Sequence, residues 1–176
     1  MLVCGGADGR VDACDWSERV LDESSSLALP AAIYRIRGDV GAIALGGGSF
    51  ARALAGFGGT LPGVFDEQAR HLGGMPEPVT AAEDGRLRAT LGGGGNALLV
   101  AGMPVCLGTT CQRLILNAEL FEKCAKAWVL AIAAGGQPRA LPWWVRRIAN
   151  GRLRRDERRA ARSFANGQLP EETNRY

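Results

Sequence analysis

The apolar residues Leu114, Ala118, Phe121, Ala125, Trp128 and Ile132 recur at intervals of three and four, the spacing of one helical face. Thr109 or Thr110 stands before them as a cap, and Gly135, Gly136 and Pro138 follow. The longest helix is therefore predicted to run to about Ala134. The rhythm is different over Val40 to Leu45, Ala97 to Val100 and Val105 to Leu107, which are short, continuously apolar runs. Strands covered on both faces read this way. Val79 and Leu87 to Leu91 are read as further short strands.

Helical spacing returns over 26–37, where Leu27, Ala31 and Tyr34, with Leu29 and Ile33, follow a serine run able to cap. Pro30 falls in the first turn, where it is tolerated. Ser49 to Phe57 is predicted helical behind a serine cap and ends at Gly58-Gly59; Val64 to Leu72 reads as a short helix or turn-rich segment. Two basic helices are expected after Leu141-Pro142, over 142–149 and 152–165, with a polar tail from Gly167. Residues 1–23 show little periodicity, with Val3 and Val11 flanking an Ala7-Asp8-Gly9 turn. No internal repeat interrupts this order. It predicts an α/β sandwich, one sheet with helices on its faces.

Composition narrows the class. At 176 residues with 47% hydrophobic and 22% charged positions, the chain has a globular rather than a disordered balance. Its apolar runs are broken well short of the ~18 residues of a membrane span. Met1-Leu2-Val3-Cys4 has neither a basic leader nor a long apolar one, so a cytoplasmic protein without a membrane partner is expected. Cys4, Cys14, Cys106, Cys111 and Cys124 form no CxxC pair, which reads as reduced thiols and no structural zinc.

Charge is unevenly placed. Between Arg146 and Arg162, eight arginines face only Asp156 and Glu157, so this segment carries +6 in a chain of net charge +3. On helical spacing these arginines spread around most of the circumference, and Trp143-Trp144 precede them without interleaving. No stacking platform for nucleic acid is evident, and a solvated or subunit-facing helix is preferred.

Two glycine runs invite a phosphate reading. Gly46-Gly47-Gly48-Ser49 lacks both the lysine of a P-loop and the spacing of GxGxxG. Leu91 to Asn96 is read as a turn between two strands, with no helix N-terminus behind it. Tight turns are the expectation for both. The single histidine, His71, has Glu67 four residues before it, which allows a carboxylate–imidazole pair on one helical face.

The segment from Ser24-Ser25-Ser26 through Ala32-Ile33-Tyr34-Arg35, Asp39-Val40 and Phe50-Ala51-Arg52-Ala53-Leu54-Ala55 resembles the core of the class II aldolase/adducin family. Ala97 to Val100, Leu107 to Thr110 and Asn117 to Lys123 resemble the strand pair and long helix that follow. The resemblance covers about residues 24–135. It implies an α/β fold: a three-layer class II aldolase-like sandwich with a central, mostly antiparallel sheet flanked by helices, shortened at its N-terminus. Residues 1–141 would form this domain, and 142–176 a basic helical extension packing on or next to it.

The resemblance also implies a zinc site that this chain does not furnish. The family's paired histidines fall on Leu45 and Gly47, the third falls near Gly102, and the catalytic glutamate falls on Ser26. Neither Leu nor Gly ligates a metal through a side chain, so no cofactor is expected. The family's phosphate-holding serines match Ser24 and Ser25, whose hydroxyls at a helix N-terminus suit a small phosphorylated or carboxylated ligand; a plain helix cap is the simpler account. The expected function is assembly, as a homo-oligomer (a tetramer by resemblance), or weak binding of a sugar-phosphate-like anion, with zinc-dependent aldolase or epimerase chemistry lost. Two other readings stand beside it: a carbon–carbon lyase or epimerase using His71, Glu67 or Asp66 in a departed mechanism, and nucleic-acid binding through the arginines.

Overall fold

The computed structural model describes residues 2–5, 11–14, 28–80 and 84–171. Five strands, β1 (Leu2–Gly5), β2 (Val11–Cys14), β3 (Ala42–Leu45), β4 (Ala97–Val100) and β5 (Met103–Gly108), form one sheet in the order β2-β1-β3-β5-β4. The β1–β3 pair is parallel and the other three pairs are antiparallel. The mostly antiparallel sheet matches the expectation. The hairpin of β1 and β2 falls in the stretch where the sequence shows little periodicity, and its Ala7-Asp8-Gly9 turn lies outside the described residues.

Alternation along the strands splits the interior into two layers. Ala97 and Leu99 of β4 and Cys106 of β5 face one cluster with Leu54, Leu61, Leu120, Phe121 and Ala125. Their neighbours Leu98, Val100, Val105 and Leu107, with Ile43 of β3, face a second cluster with Ile33, Leu87 and Leu91. Both faces are covered, which is why these strands read as unbroken apolar runs. Helices α2 (Ser49–Ala53) and α5 (Cys111–Ala133) cover the first face; α1 (Ala28–Ile36) and α4 (Asp84–Gly92) cover the second. The architecture is a three-layer sandwich.

Most helix limits follow their sequence signals. A 3-10 turn, Leu54–Phe57, extends α2 and ends at Gly58 in the left-handed region. Thr110 caps α5 by accepting the Arg113 N–H at 3.2 Å, and α5 is tied to the sheet by the wholly buried Asn117, which donates to the Leu107 carbonyl at 2.7 Å. The segment at 64–72 holds a short helix, α3 (Asp66–His71).

Three expectations are corrected. Leu87 to Leu91 is part of helix α4, not a strand: Leu87 and Leu91 are buried while Ala89 between them is exposed, a spacing of four rather than an alternation of two. Val79 makes only an isolated bridge to Val100, its N–H reaching the Leu99 carbonyl at 2.9 Å, and so covers the outer edge of β4. The two basic helices are one, α6 (Trp143–Ala165), continuous through Gly151. Gly151 costs helix propensity, but the burial of Leu153, Glu157 and Ala160 on the segment after it holds the helix together. At its far end Phe164 packs on Gly41, where a Cβ would collide with the ring and with the Thr109 carbonyl.

Candidate functional site

Strand β3 ends in a glycine turn whose first residue, Gly46, has φ 86°, a conformation natural only to glycine. The Gly46 N–H donates to the Pro104 carbonyl at 2.8 Å. That contact places the turn beside the β4–β5 hairpin, whose two-residue loop Ala101-Gly102 has positive φ at both positions, 49° and 77°. The structure therefore brings Leu45, Gly47 and Gly102, the positions that the sequence resemblance sets against the family's histidines, to neighbouring turns at one end of the sheet. None of the three carries a donor atom on its side chain. Among the described residues no group of three His, Cys, Asp or Glu side chains is placed to hold a metal. The residues present there do not fit a zinc ion.

The turn runs into α2, and its anion-attracting end is already filled from within. Glu122 of α5 accepts the Phe50 N–H on Oε1 and the Ala51 N–H on Oε2, each at 2.9 Å. The expected Ser49 cap is thereby corrected: the N-cap is Gly48, no side chain of the turn caps the helix, and a carboxylate 71 and 72 residues away does so. Gly48 leaves room for the same contact, because a Cβ on it would meet the Glu122 carboxylate and the side chain would have to move. A phosphate cradle at this turn would have to displace Glu122.

The second glycine run follows helix α4 rather than a strand, which corrects that expectation as well. It presents carbonyls: Gly95 accepts from Arg37 Nη1 at 3.0 Å, and Gly93 accepts from Arg154. Such a turn suits cations, not phosphates. Arg37 goes on to bind both carboxylate oxygens of Asp39 at 2.7 and 2.6 Å, Asn96 Oδ1 at 3.1 Å and Glu157 Oε1 at 3.2 Å. All four side chains are buried. Glu157 is pushed up to about 7, because burial outweighs the pull of Arg37 while Asp39 adds repulsion.

His71 and Glu67 take different partners from those expected. His71 Nδ1 lies 3.0 Å from Arg113 Nη1; the guanidinium donates, so the ring is held neutral with its proton on Nε2. Burial first, and then Arg113 and Arg70, lower the His71 pKa against a weaker opposing pull from Glu67. Glu67 pairs with Lys123 at 3.7 Å on an exposed surface, and Asp66 lies in the first turn of α3. Ser24, Ser25 and Ser26 lie outside the described residues.

Sequence reading missed Glu122 and the Arg37 cluster. Nothing local marks Glu122, since its partners are remote in sequence. Glu157 did leave a signal: it stands at the fourth position after Leu153 and the third before Ala160, inside the apolar seam of α6.

Comparison with solved structures identifies the fold. An L-fuculose 1-phosphate aldolase superposes with a TM-score of 0.61 at 21% identity, covering 84% of this chain and 69% of that one. The L-fuculose 1-phosphate aldolase of Glaciozyma antarctica PI12 gives 0.59 at 16%, covering 94% and 68%. The protein has the class II aldolase fold. YgbL of Escherichia coli, assigned a proposed aldolase, epimerase or decarboxylase activity, shares this fold with a TM-score of 0.58 at 20% identity, covering 81% and 70%. No family model matches the sequence, and no curated protein does. No helix among the described residues is long and apolar enough to cross a membrane.

Proposed function

We propose that this chain uses the class II aldolase fold for assembly and for weak binding of a small anionic, sugar-phosphate-like ligand, without zinc-dependent aldolase or epimerase chemistry. One observation carries the reading. The neighbouring turns that the sequence resemblance sets against the family's metal site hold Leu45, Gly47 and Gly102, which have no donor side chain, and the adjoining helix end is closed by Glu122. Metal-assisted carbonyl chemistry needs a bound ion to polarise oxygen, and these residues give it no ligands.

The anion site is placed by resemblance at Ser24 and Ser25, before α1. Assembly is supported by large apolar side chains left open on two helices: Ile115 and Leu130 on α5, and Trp143, Trp144 and Ile148 at the start of α6. Where such exposed apolar side chains adjoin, they mark interaction sites. The test is a titration of sugar phosphates followed by chemical shifts, on the wild type and on Ser24→Ala/Ser25→Ala. Weak binding that the double substitution abolishes supports the reading. Equal binding by both proteins removes the anion site. About one zinc per chain by mass spectrometry, in protein prepared without chelator, overturns the loss of metal chemistry.

A further inference from the structure

Helical spacing alone spreads the eight arginines of 146–162 around most of α6. Folding sorts them. Arg154 is drawn inward to the Gly93 carbonyl and to Glu157, and Arg146 lies along Gly63. The other six, Arg147, Arg152, Arg155, Arg158, Arg159 and Arg162, are exposed. At 3.6 residues per turn they fall within roughly 140° of arc, centred opposite the buried Leu153, Glu157 and Ala160. They occupy roughly 22 Å of helix length.

Their charge is not neutralised locally. None of the six forms an ion pair among the described residues. The one exposed acid of α6, Asp156, stands at the flank of the arc. The face therefore complements a surface of several negative charges rather than a single small anion.

The same face begins in apolar side chains. Trp144, 55% exposed, and Ile148, 61% exposed, fall within the arc, and Trp143, 69% exposed, lies beside it. A membrane interface meets both chemistries at once, since indole and aliphatic groups enter the boundary of the acyl chains while arginines stay among the phosphates. Nucleic acid fits less well. Ile148 offers a base nothing to stack on, and the two indoles diverge by about 100° along the helix, so they do not form successive stacking platforms. A second copy meeting this face with its own would set like charges together.

We propose that the outer face of α6 docks on the surface of an anionic lipid bilayer, with Trp143, Trp144 and Ile148 entering the interface and the six arginines facing lipid phosphates. The helix is too charged to cross a membrane; held on the domain by its buried face, it lies on one. Apolar anchor and basic patch act together, as reversible membrane binding requires two such signals. The proposal gives the start of α6 to a membrane, leaves Ile115 and Leu130 of α5 for assembly, and does not depend on that assembly.

The test sediments the full chain with vesicles of phosphatidylcholine, and with vesicles of phosphatidylcholine mixed with phosphatidylserine, at low salt. The mixed vesicles should bind at least about tenfold more tightly, and added salt should release the protein. Indole emission should shift to the blue on binding, and Trp143→Phe/Trp144→Phe should remove that shift. Arg147→Gln/Arg155→Gln/Arg162→Gln, at exposed positions, should weaken binding about a hundredfold. Trp144→Ala/Ile148→Ser should weaken it about tenfold. Circular dichroism confirms that each variant is folded, and the salt and lipid dependence of the wild type test the proposal without any variant. Equal binding to both vesicles, or to neither, overturns it. So does a nucleic-acid duplex that binds as tightly as the mixed vesicles. Loss of self-association in Trp144→Ala/Ile148→Ser with vesicle binding unchanged assigns the face to a second copy, and overturns it too.

Discussion

Glu157 Oε1 of helix α6 lies 3.2 Å from Arg37 Nη2 at the end of α1, across 120 residues of chain. The contact fastens the basic helix to the sandwich at a point where water has been removed from both partners. It also sets a charge count. Arg37 is already matched by Asp39, with Nη2 2.6 Å from Asp39 Oδ2, so an ionised Glu157 leaves a surplus negative charge in the buried group. Arg154, at 3.9 Å and half-buried, compensates it only in part.

Stability should therefore fall as pH rises through neutrality. In the unfolded chain this carboxyl ionises near 4.5, and in the folded chain near 7. Between those values the folded protein keeps a proton that the unfolded one has released. The contribution is complete below about pH 4.5 and lost as pH climbs through 7, with a ceiling of about 3 kcal/mol. Denaturant melts at pH values on either side of this window should show it, and Glu157→Gln should remove that component of the slope. Parallel pH profiles for the two proteins would show that Glu157 does not hold the proton.

Gly48 and Glu122 should behave as a coupled pair. Glu122→Ala strips two acceptors from the start of α2 and should cost about 1–3 kcal/mol. Gly48→Ala in the wild type drives a methyl into the carboxylate and should be destabilising as well. In the Glu122→Ala background the obstacle is gone, so the second substitution should cost little. A double-mutant cycle in chemical denaturation reads the coupling, and strict additivity would contradict the contact.

Gly151→Ala should stabilise the protein. Gly151 is exposed within α6, has no positive φ, and a Cβ built on it meets nothing within 4 Å. The gain expected from helix propensity is about 0.5–1 kcal/mol. A thermal melt that moves down, or does not move, would mean that α6 bends at this residue.

The residues that sequence reads well are those whose neighbours in the chain decide their state. β4 was predicted as Ala97 to Val100 and forms there, because four apolar residues between glycine turns suit only a strand covered on both faces. Helix α5 was equally clear from its spacing and its Thr110 cap. Leu87-Arg88-Ala89-Thr90-Leu91 misled because its apolar positions satisfy a period of two, while contact with α1 settled a period of four. Gly151 misled in the opposite direction, since local propensity argued for a break that the packing of Leu153, Glu157 and Ala160 overrode. At the candidate site, sequence alone shows that Leu45, Gly47 and Gly102 carry no donor side chain, and the fold adds that they lie in neighbouring turns. The closure of α2 by Glu122 was not, because it arises only when α5 is laid across the sheet.

Thiol chemistry should separate Cys106, Cys111 and Cys124. Cys106 lies inside the sheet layer, and burial pushes its thiol up to about 12; the same cause raises Cys124 to about 11. The thiolate is the reactive form, so at pH 8 only about one Cys106 in ten thousand would be ionised. Lys123 draws the Cys124 value back only slightly. Cys111 occupies the exposed first turn of α5, where neither burial nor access protects it. In a Cys4→Ser/Cys14→Ser background, iodoacetamide under native conditions should label Cys111 and leave Cys106 and Cys124 unmodified until the chain unfolds. Peptide mass mapping over time distinguishes the three sites. Labelling of Cys106 at a rate comparable to Cys111 in the folded protein would show that β5 opens to solvent, and the two-faced burial of the sheet would have to be abandoned.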